Sequence, residues 1–225
     1  MTIRDAVQAK QDIITKMGVE LGECFNALWQ HTARLHVNWC EYVELFGTKQ
    51  SRVDLINRAA PALFGIMQNV LWDDIILKIA RLTDSVHTGK KQNLTICKLL
   101  DLIPEGQLLS LTRKNIDLVL VETKFCKSHR NLRIAHSDFE LATKPQAISL
   151  EGVSRENINR SLDAITETLN AINRHYCDAE TNFKSPYRGD GAKQLVGMIT
   201  LALNVKDEMV SQGKIADLIR LEREK

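Results

Sequence analysis

Leu21, Phe25, Leu28, Thr32, Leu35, Trp39, Tyr42 and Phe46 follow one another at alternating intervals of four and three residues. That rhythm keeps side chains on one face of an α-helix, and a face of this length must be covered by other helices. The spacing returns in Ile158, Leu162, Ile165, Leu169, Ile172 and Tyr176, and more loosely in Leu118, Val121, Phe125, Leu132, Ala135 and Phe139. No strand pattern, internal repeat or low-complexity tract breaks the series. The sequence therefore predicts an all-α fold, a single bundle of long antiparallel helices with additional C-terminal helices. One domain is expected over residues 1–225, with a core at about 15–205 and a charged helical tail at 206–225.

In chain order, residues 5–46 read as helix, jointed near Gly18 and Gly22 and stopped by Gly47. A second long element is expected from Ser51, as its N-cap, to Asp84, interrupted at Pro61, which has no N–H for the helical ladder. Within it LFGIMQNVLWDDIILKIARL is apolar around most of its circumference, which predicts a central helix. Asp74 with Lys78, and Arg81 with Asp84, stand about one turn apart and predict ion pairs along one edge. SVHTGKKQN reads as a polar loop, LTICKLLDLI as a short helix closed by Pro104, and residues 107–139 as the next long helix. Ser154 is expected to cap the helix that follows. Asp190 is expected to cap the last one, after a long loop beginning at Asp178.

Hydrophobic residues make up 44% of the chain and charged residues 26%, with 4 prolines and 11 glycines, the balance of a folded chain. A net charge of +2 is too small to draw the protein to nucleic acid or membrane by bulk attraction, so any such site must be local. Cys24, Cys40, Cys97, Cys126 and Cys177 form no CxxC pair and are odd in number, which favours reduced thiols and a cytoplasmic setting. No apolar run is long enough to span a bilayer, and the N-terminus lacks the apolar core of a secretion signal, so no membrane association is expected.

One stretch concentrates phosphate-handling and proton-handling chemistry: KSHRNLRIAHSD, Lys127 to Asp138. The planar guanidinium of Arg130 suits a phosphodiester, while a histidine such as His136, with an ordinary pKa of about 6.5, can take and return a proton near neutrality. Together they fit RNA cleavage without a metal: His136 deprotonates the ribose 2′-hydroxyl and Arg130 stabilises charge on the attacked phosphate, leaving a 2′,3′-cyclic phosphate. DNA lacks that hydroxyl and is not expected as a substrate. On an unbroken helix Arg130 and His136 point about 120° apart, whereas His129, Arg133 and His136 share one flank. Three solutions are open: a bend near Arg130, participation of Arg133, or a two-fold dimer in which a second copy of His136 serves as the acid. Asp138 can orient the imidazole. The alternative is that the arginines solvate a helix face and His136 bonds an interhelical carbonyl.

Other chemistry is poorly supplied. Helix-bundle metal centres use Glu-x-x-His, which the chain lacks, and there is no Walker-type or dinucleotide glycine motif, so neither metal nor cofactor is expected. Cys126 and His129 stand three apart, but Cys126 falls against the Phe125 stripe and reads as a buried thiol. Lys90 and Lys91 add at most a local basic rim.

HRNLRIAHSD resembles the signature of the HEPN superfamily, an arginine followed by a histidine four to six residues later, and Asn131 matches the polar residue that commonly follows the arginine. ALWQHTARLHVNWCEYVELFG, NVLWDDIILKIARLTD, NLTICKLLDLI and LNAINRHY, in that order, resemble its abortive-infection AbiU-like branch over nearly all of residues 15–205. The resemblance implies an α-helical homodimer whose two motifs face a shared cleft. In active members that cleft is a metal-independent ribonuclease, in phage defence or as the toxin of a pair with an antitoxin protein. Arg130 and His136 would then be catalytic and Asn131 supporting; Arg133, His129 and Asp138 are candidates from the residues alone. Some HEPN toxins carry, two residues after the histidine, a tyrosine that a partner nucleotidyltransferase modifies. Here Asp138 stands there, which argues against that mode of neutralisation. Other members are non-catalytic modules that bind RNA, a nucleotide or a partner protein, the second functional class carried forward.

Overall fold

Helices α1 (Ala6–Met17) and α2 (Val19–Phe46) are parted at Gly18, whose φ of +83° lies where glycine is favoured. The computed structural model describes residues 6–131, 153–184 and 190–214. Gly22 plays a different part from the joint expected of it. A Cβ there would lie 2.7 Å from the Ile14 Cα, although residues eight apart in a straight helix are separated by about 12 Å. The chain therefore folds sharply back at Gly18, and Gly22 lets the two backbones touch.

The α2 stripe is buried as its spacing predicts: Leu21, Phe25, Leu28, Thr32, Leu35, Trp39 and Tyr42 are all buried. The next element is broken at Ala60, before Pro61, into α3 (Gln50–Ala59) and α4 (Pro61–Leu82). The residue before a proline is pushed away from helical backbone angles, and Ala60 accordingly has φ −158° and ψ 73°. Lys49, not Ser51, is the N-cap of α3, and no side chain bonds there. α4 is not central along its whole length. Ile75, Ile76, Ile79 and Ala80 are buried, but Leu63, Ile66 and Val70 in its first half are exposed.

The polar segment after α4 is a hairpin of two two-residue strands, β1 (His87–Thr88) and β2 (Lys91–Gln92), where no strand was expected. Gly89, at φ +60°, takes the first loop position, which suits a two-residue turn. A 3-10 turn (Ile96–Lys98) runs into α5 (Leu99–Leu102), which stops before Pro104. α6 (Gln107–Glu122) and α7 (Lys124–His129) are separated at Thr123. The buried stripe of this pair is Leu109, Thr112, Ile116, Val119, Thr123 and Cys126, whereas Leu118 and Val121 are exposed. The stripe thus runs through threonines: the Thr123 hydroxyl bonds the Val119 carbonyl at 2.8 Å and can be buried at little cost. Ser154 caps α8 (Arg155–Cys177), its Oγ accepting from the Asn157 N–H at 3.1 Å, and Ile158, Leu162, Ile165, Leu169 and Ile172 are buried.

α9 (Ala192–Ser211) is capped from a distance rather than by Asp190. The Glu41 carboxylate accepts the Ala192 N–H at 2.6 Å, and Gly191, at φ +148°, leaves room for it, since a Cβ would lie 2.6 Å from the same carboxylate.

The chain divides into two compact units, Met1–Val37 with Asp73–Pro186, and Asn38–Trp72 with Tyr187–Lys225. In the first, α6 lies along α8, and the threonine-bearing stripe meets the α8 stripe. In the second, Leu45, Ile56, Phe64, Ala192 and Val196 form a small core beside a Trp39–Tyr42–Trp72 aromatic cluster. Arg58 on α3 and Asp207 on α9 bridge at 2.8 Å. Among the described residues no helix is long and apolar enough to cross a membrane.

Candidate functional site

The site is set by the way α4 ends. Thr83 turns its hydroxyl onto the Ile79 carbonyl at 3.0 Å, and Thr95 Oγ lies 3.0 Å from the Leu82 carbonyl and 2.7 Å from that of Asp84. Thr95 also N-caps the following 3-10 turn through the Cys97 N–H. Asn93 donates to the Ser85 carbonyl at 2.9 Å and to the Thr88 hydroxyl at 2.8 Å. RLTD and NLT, 12 residues apart in sequence at Arg81 and Asn93, are therefore one hydrogen-bonded knot that fixes the backbone carrying Asp84.

Asp84 was expected to pair with Arg81 three residues before it. It reaches instead across 46 residues to Arg130, whose Nη1 donates to its carboxylate at 2.5 Å. The Arg130 Nε–H is taken by the Asn131 side-chain oxygen at 3.0 Å. A guanidinium has five N–H groups, so these two contacts orient Arg130 and leave three without a partner among the described residues. The side chains of Arg130 and Asp84 are 21% and 27% exposed, so the pair is sheltered yet open to solvent on one side. Arg130 follows the last residue of α7, where the backbone passes into a wider π-type turn through Asn131.

Asp84 also lines a pocket of about 530 Å³ together with His31 and Arg34 of α2, Lys78, Arg81 and Leu82 of α4, and Asn93 and Leu94. His31 with Arg34, and Lys78 with Arg81, are each spaced to share a helix face. Lys78 makes the expected ion pair with Asp74 at 2.6 Å. Nothing in the KSHRNLRIAHSD stretch pointed to this pocket. The signal in the sequence was the RLTD segment, read as an edge ion pair and as part of the family resemblance but not as the wall of a pocket.

His129 is buried on α7 with Phe125 and Cys126. Cys126 is fully buried, and burial pushes its thiol up to about 12, so it is a packing residue and not a thiolate paired with His129. Lys90 and Lys91 lie exposed on the hairpin. Arg133, His136 and Asp138, with Leu132, Ala135 and Phe139 of the expected stripe, lie outside the described residues.

An all-α scaffold, an arginine and its following asparagine set at a helix joint, and a histidine six residues beyond the arginine in sequence are the features of a HEPN-type helical domain. The chain belongs to the AbiU2 family, whose HEPN_AbiU2 family model matches residues 18–194. No curated protein and no solved structure matches it.

Proposed function

We propose that this HEPN module is a metal-independent endoribonuclease acting as a homodimer, with His136 as general base and Arg130 stabilising the phosphate. The observation that carries it is the Arg130 arrangement: Asp84 and Asn131 hold the guanidinium in place, and most of its donors have no partner among the described residues. An arginine serving only to solvate a helix face needs no such support from a residue 46 positions away. Preorganised donors of this kind are what lower the barrier to phosphoryl transfer, because they are not reoriented during the reaction.

In the reaction His136 removes the 2′-hydroxyl proton, the 2′-oxygen attacks phosphorus and the bond to the 5′-oxygen breaks. That oxygen takes a proton from the partner's His136, giving a 2′,3′-cyclic phosphate and a 5′-hydroxyl. Asn131 supports Arg130; Arg133, His129 and Asp138 are secondary candidates. A cytoplasmic role in phage defence, or as a toxin held by an antitoxin protein, belongs to the same proposal and draws its support from the resemblance to the abortive-infection AbiU-like branch. The second reading, a non-catalytic module that binds RNA, a nucleotide or a partner protein, draws support from the same ion pair, because Asp84 offsets part of the Arg130 charge.

The test is incubation of wild-type and His136→Ala protein with labelled total RNA in excess chelator, followed by analysis of product ends. Cleavage by wild type alone, leaving cyclic phosphates, is expected. Equal cleavage by the variant removes His136 from the mechanism, and an active monomer in sedimentation removes the dimer.

A further inference from the structure

Arg34 and Arg81 differ from five of the nine described arginines in what they touch. Arg52, Arg58, Arg130, Arg160 and Arg174 each hold a carboxylate. Arg34 and Arg81 line the same pocket, and neither makes an ion pair or side-chain hydrogen bond with another described residue. Asp84, the carboxylate among the residues lining the pocket, is already engaged by Arg130, and Asp74 is engaged by Lys78. Gathering three cations in one concavity costs repulsion, and low-dielectric walls concentrate the resulting field on whatever enters. Leu82 and Leu94 give the pocket an apolar side, and about 530 Å³ accommodates a nucleotide unit.

The charge has a boundary. Beyond Asn93 and Leu94, which line both, a second pocket of about 470 Å³ carries Glu20 and Glu23 with Lys98. A polyanion drawn to the first pocket is turned away from the second. Asp84 joins the basic pocket to Arg130, so the two lie at one continuous site.

We propose that Arg34 and Arg81 bind a phosphate of single-stranded RNA next to the phosphate held at Arg130, fixing which linkage is presented for cleavage. The proposal rests on the ribonuclease reading for the identity of the polymer. Its test does not depend on cleavage, because it uses a fluorescent 2′-O-methyl RNA oligonucleotide that has no free 2′-hydroxyl to attack. Anisotropy titrations compare wild type, Arg34→Gln/Arg81→Gln and Arg34→Lys/Arg81→Lys, each as the full chain.

The glutamine variant is expected to weaken binding at least about 30-fold. The slope of log affinity against log salt should shrink by about 0.7, the value for one phosphate contact on a single strand. Lysine should restore most of the affinity. No wild-type binding, or glutamine-variant affinity within about twofold of wild type, overturns the proposal. So does displacement of the RNA by AMP at equal nucleotide concentration, which would make a free nucleotide the occupant. Loss of binding in the glutamine variant, with no cleavage of natural RNA by wild type, leaves the pocket standing and removes the ribonuclease reading instead.

Discussion

Asp84 and Arg130, 46 residues apart, meet at 2.5 Å where the exit of α4 faces the end of α7. The carboxylate sits on backbone already pinned by Thr95, so it is a fixed post, and the guanidinium is the group that is positioned. Asp84→Asn keeps a hydrogen-bond acceptor and removes the charge. It is expected to cost about 1 kcal/mol in urea unfolding, as for a charge-assisted bond with partial exposure. In a double-mutant cycle with Arg130→Gln the two losses should fall short of additivity. Additive losses would show that the pair contributes nothing. Arg130→Lys retains charge but cannot hold Asp84 and Asn131 while donating to a phosphate, and is expected to lower cleavage at least about 100-fold with the fold intact.

The two long-range contacts at functional and capping positions, Asp84 with Arg130 and Glu41 with Ala192, were the parts of the fold that the sequence did not disclose. Local spacing offered Arg81 for the first and Asp190 for the second, and neither local partner is used. By contrast, the α2 and α8 stripes were legible because apolar residues fill nearly all of their positions, with Thr32 the polar member of the α2 stripe. The α6 stripe was misread because two of its positions, Thr112 and Thr123, are polar by identity and buried in fact. The helical class, the Pro61 break and the Ser154 cap followed from backbone chemistry that acts within a few residues. The basic pocket was hidden because its residues arrive from two helices and a hairpin whose juxtaposition no periodicity encodes.

Glu41→Ala removes the acceptor for the first N–H of α9. A lost N-terminal cap costs about 1 kcal/mol, so amide exchange at Ala192 and Lys193 should speed up while exchange on α8 is unchanged. Gly191→Ala should cost more, since its Cβ meets the same carboxylate and its φ of +148° is unfavourable for alanine. Equal exchange in wild type and Glu41→Ala would dismiss the cap.

Thr112 is fully buried, and its hydroxyl has no hydrogen-bond partner among the described residues. Replacing an unsatisfied hydroxyl with a methyl of the same shape removes a desolvation cost. Thr112→Val is therefore expected to raise stability by about 1 kcal/mol, whereas Thr123→Val, which breaks the bond to the Val119 carbonyl, should not. Destabilisation by Thr112→Val in denaturant unfolding would mean that the hydroxyl is satisfied.

His36 lies under Phe183, ring centroids 5.3 Å apart, with its Nε2 3.0 Å from the Thr166 hydroxyl. Burial lowers its pKa to about 4, Asp163 opposing the shift and Lys184 adding to it. Those two neighbours are themselves paired at 2.8 Å, so their effects largely offset one another at the ring. Below its ordinary value of about 6.5 the unfolded chain binds a proton that the folded one refuses. The stabilisation from a neutral His36 is thus complete above about pH 6.5 and is lost as pH falls towards 4, by up to about 3 kcal/mol. His36→Gln cannot take up that proton and should flatten the pH dependence of the urea midpoint between pH 4 and 6.5. If wild type and His36→Gln lose stability in parallel over that window, another group carries the acid sensitivity. If wild type alone loses it, the protonation of one buried ring accounts for the difference.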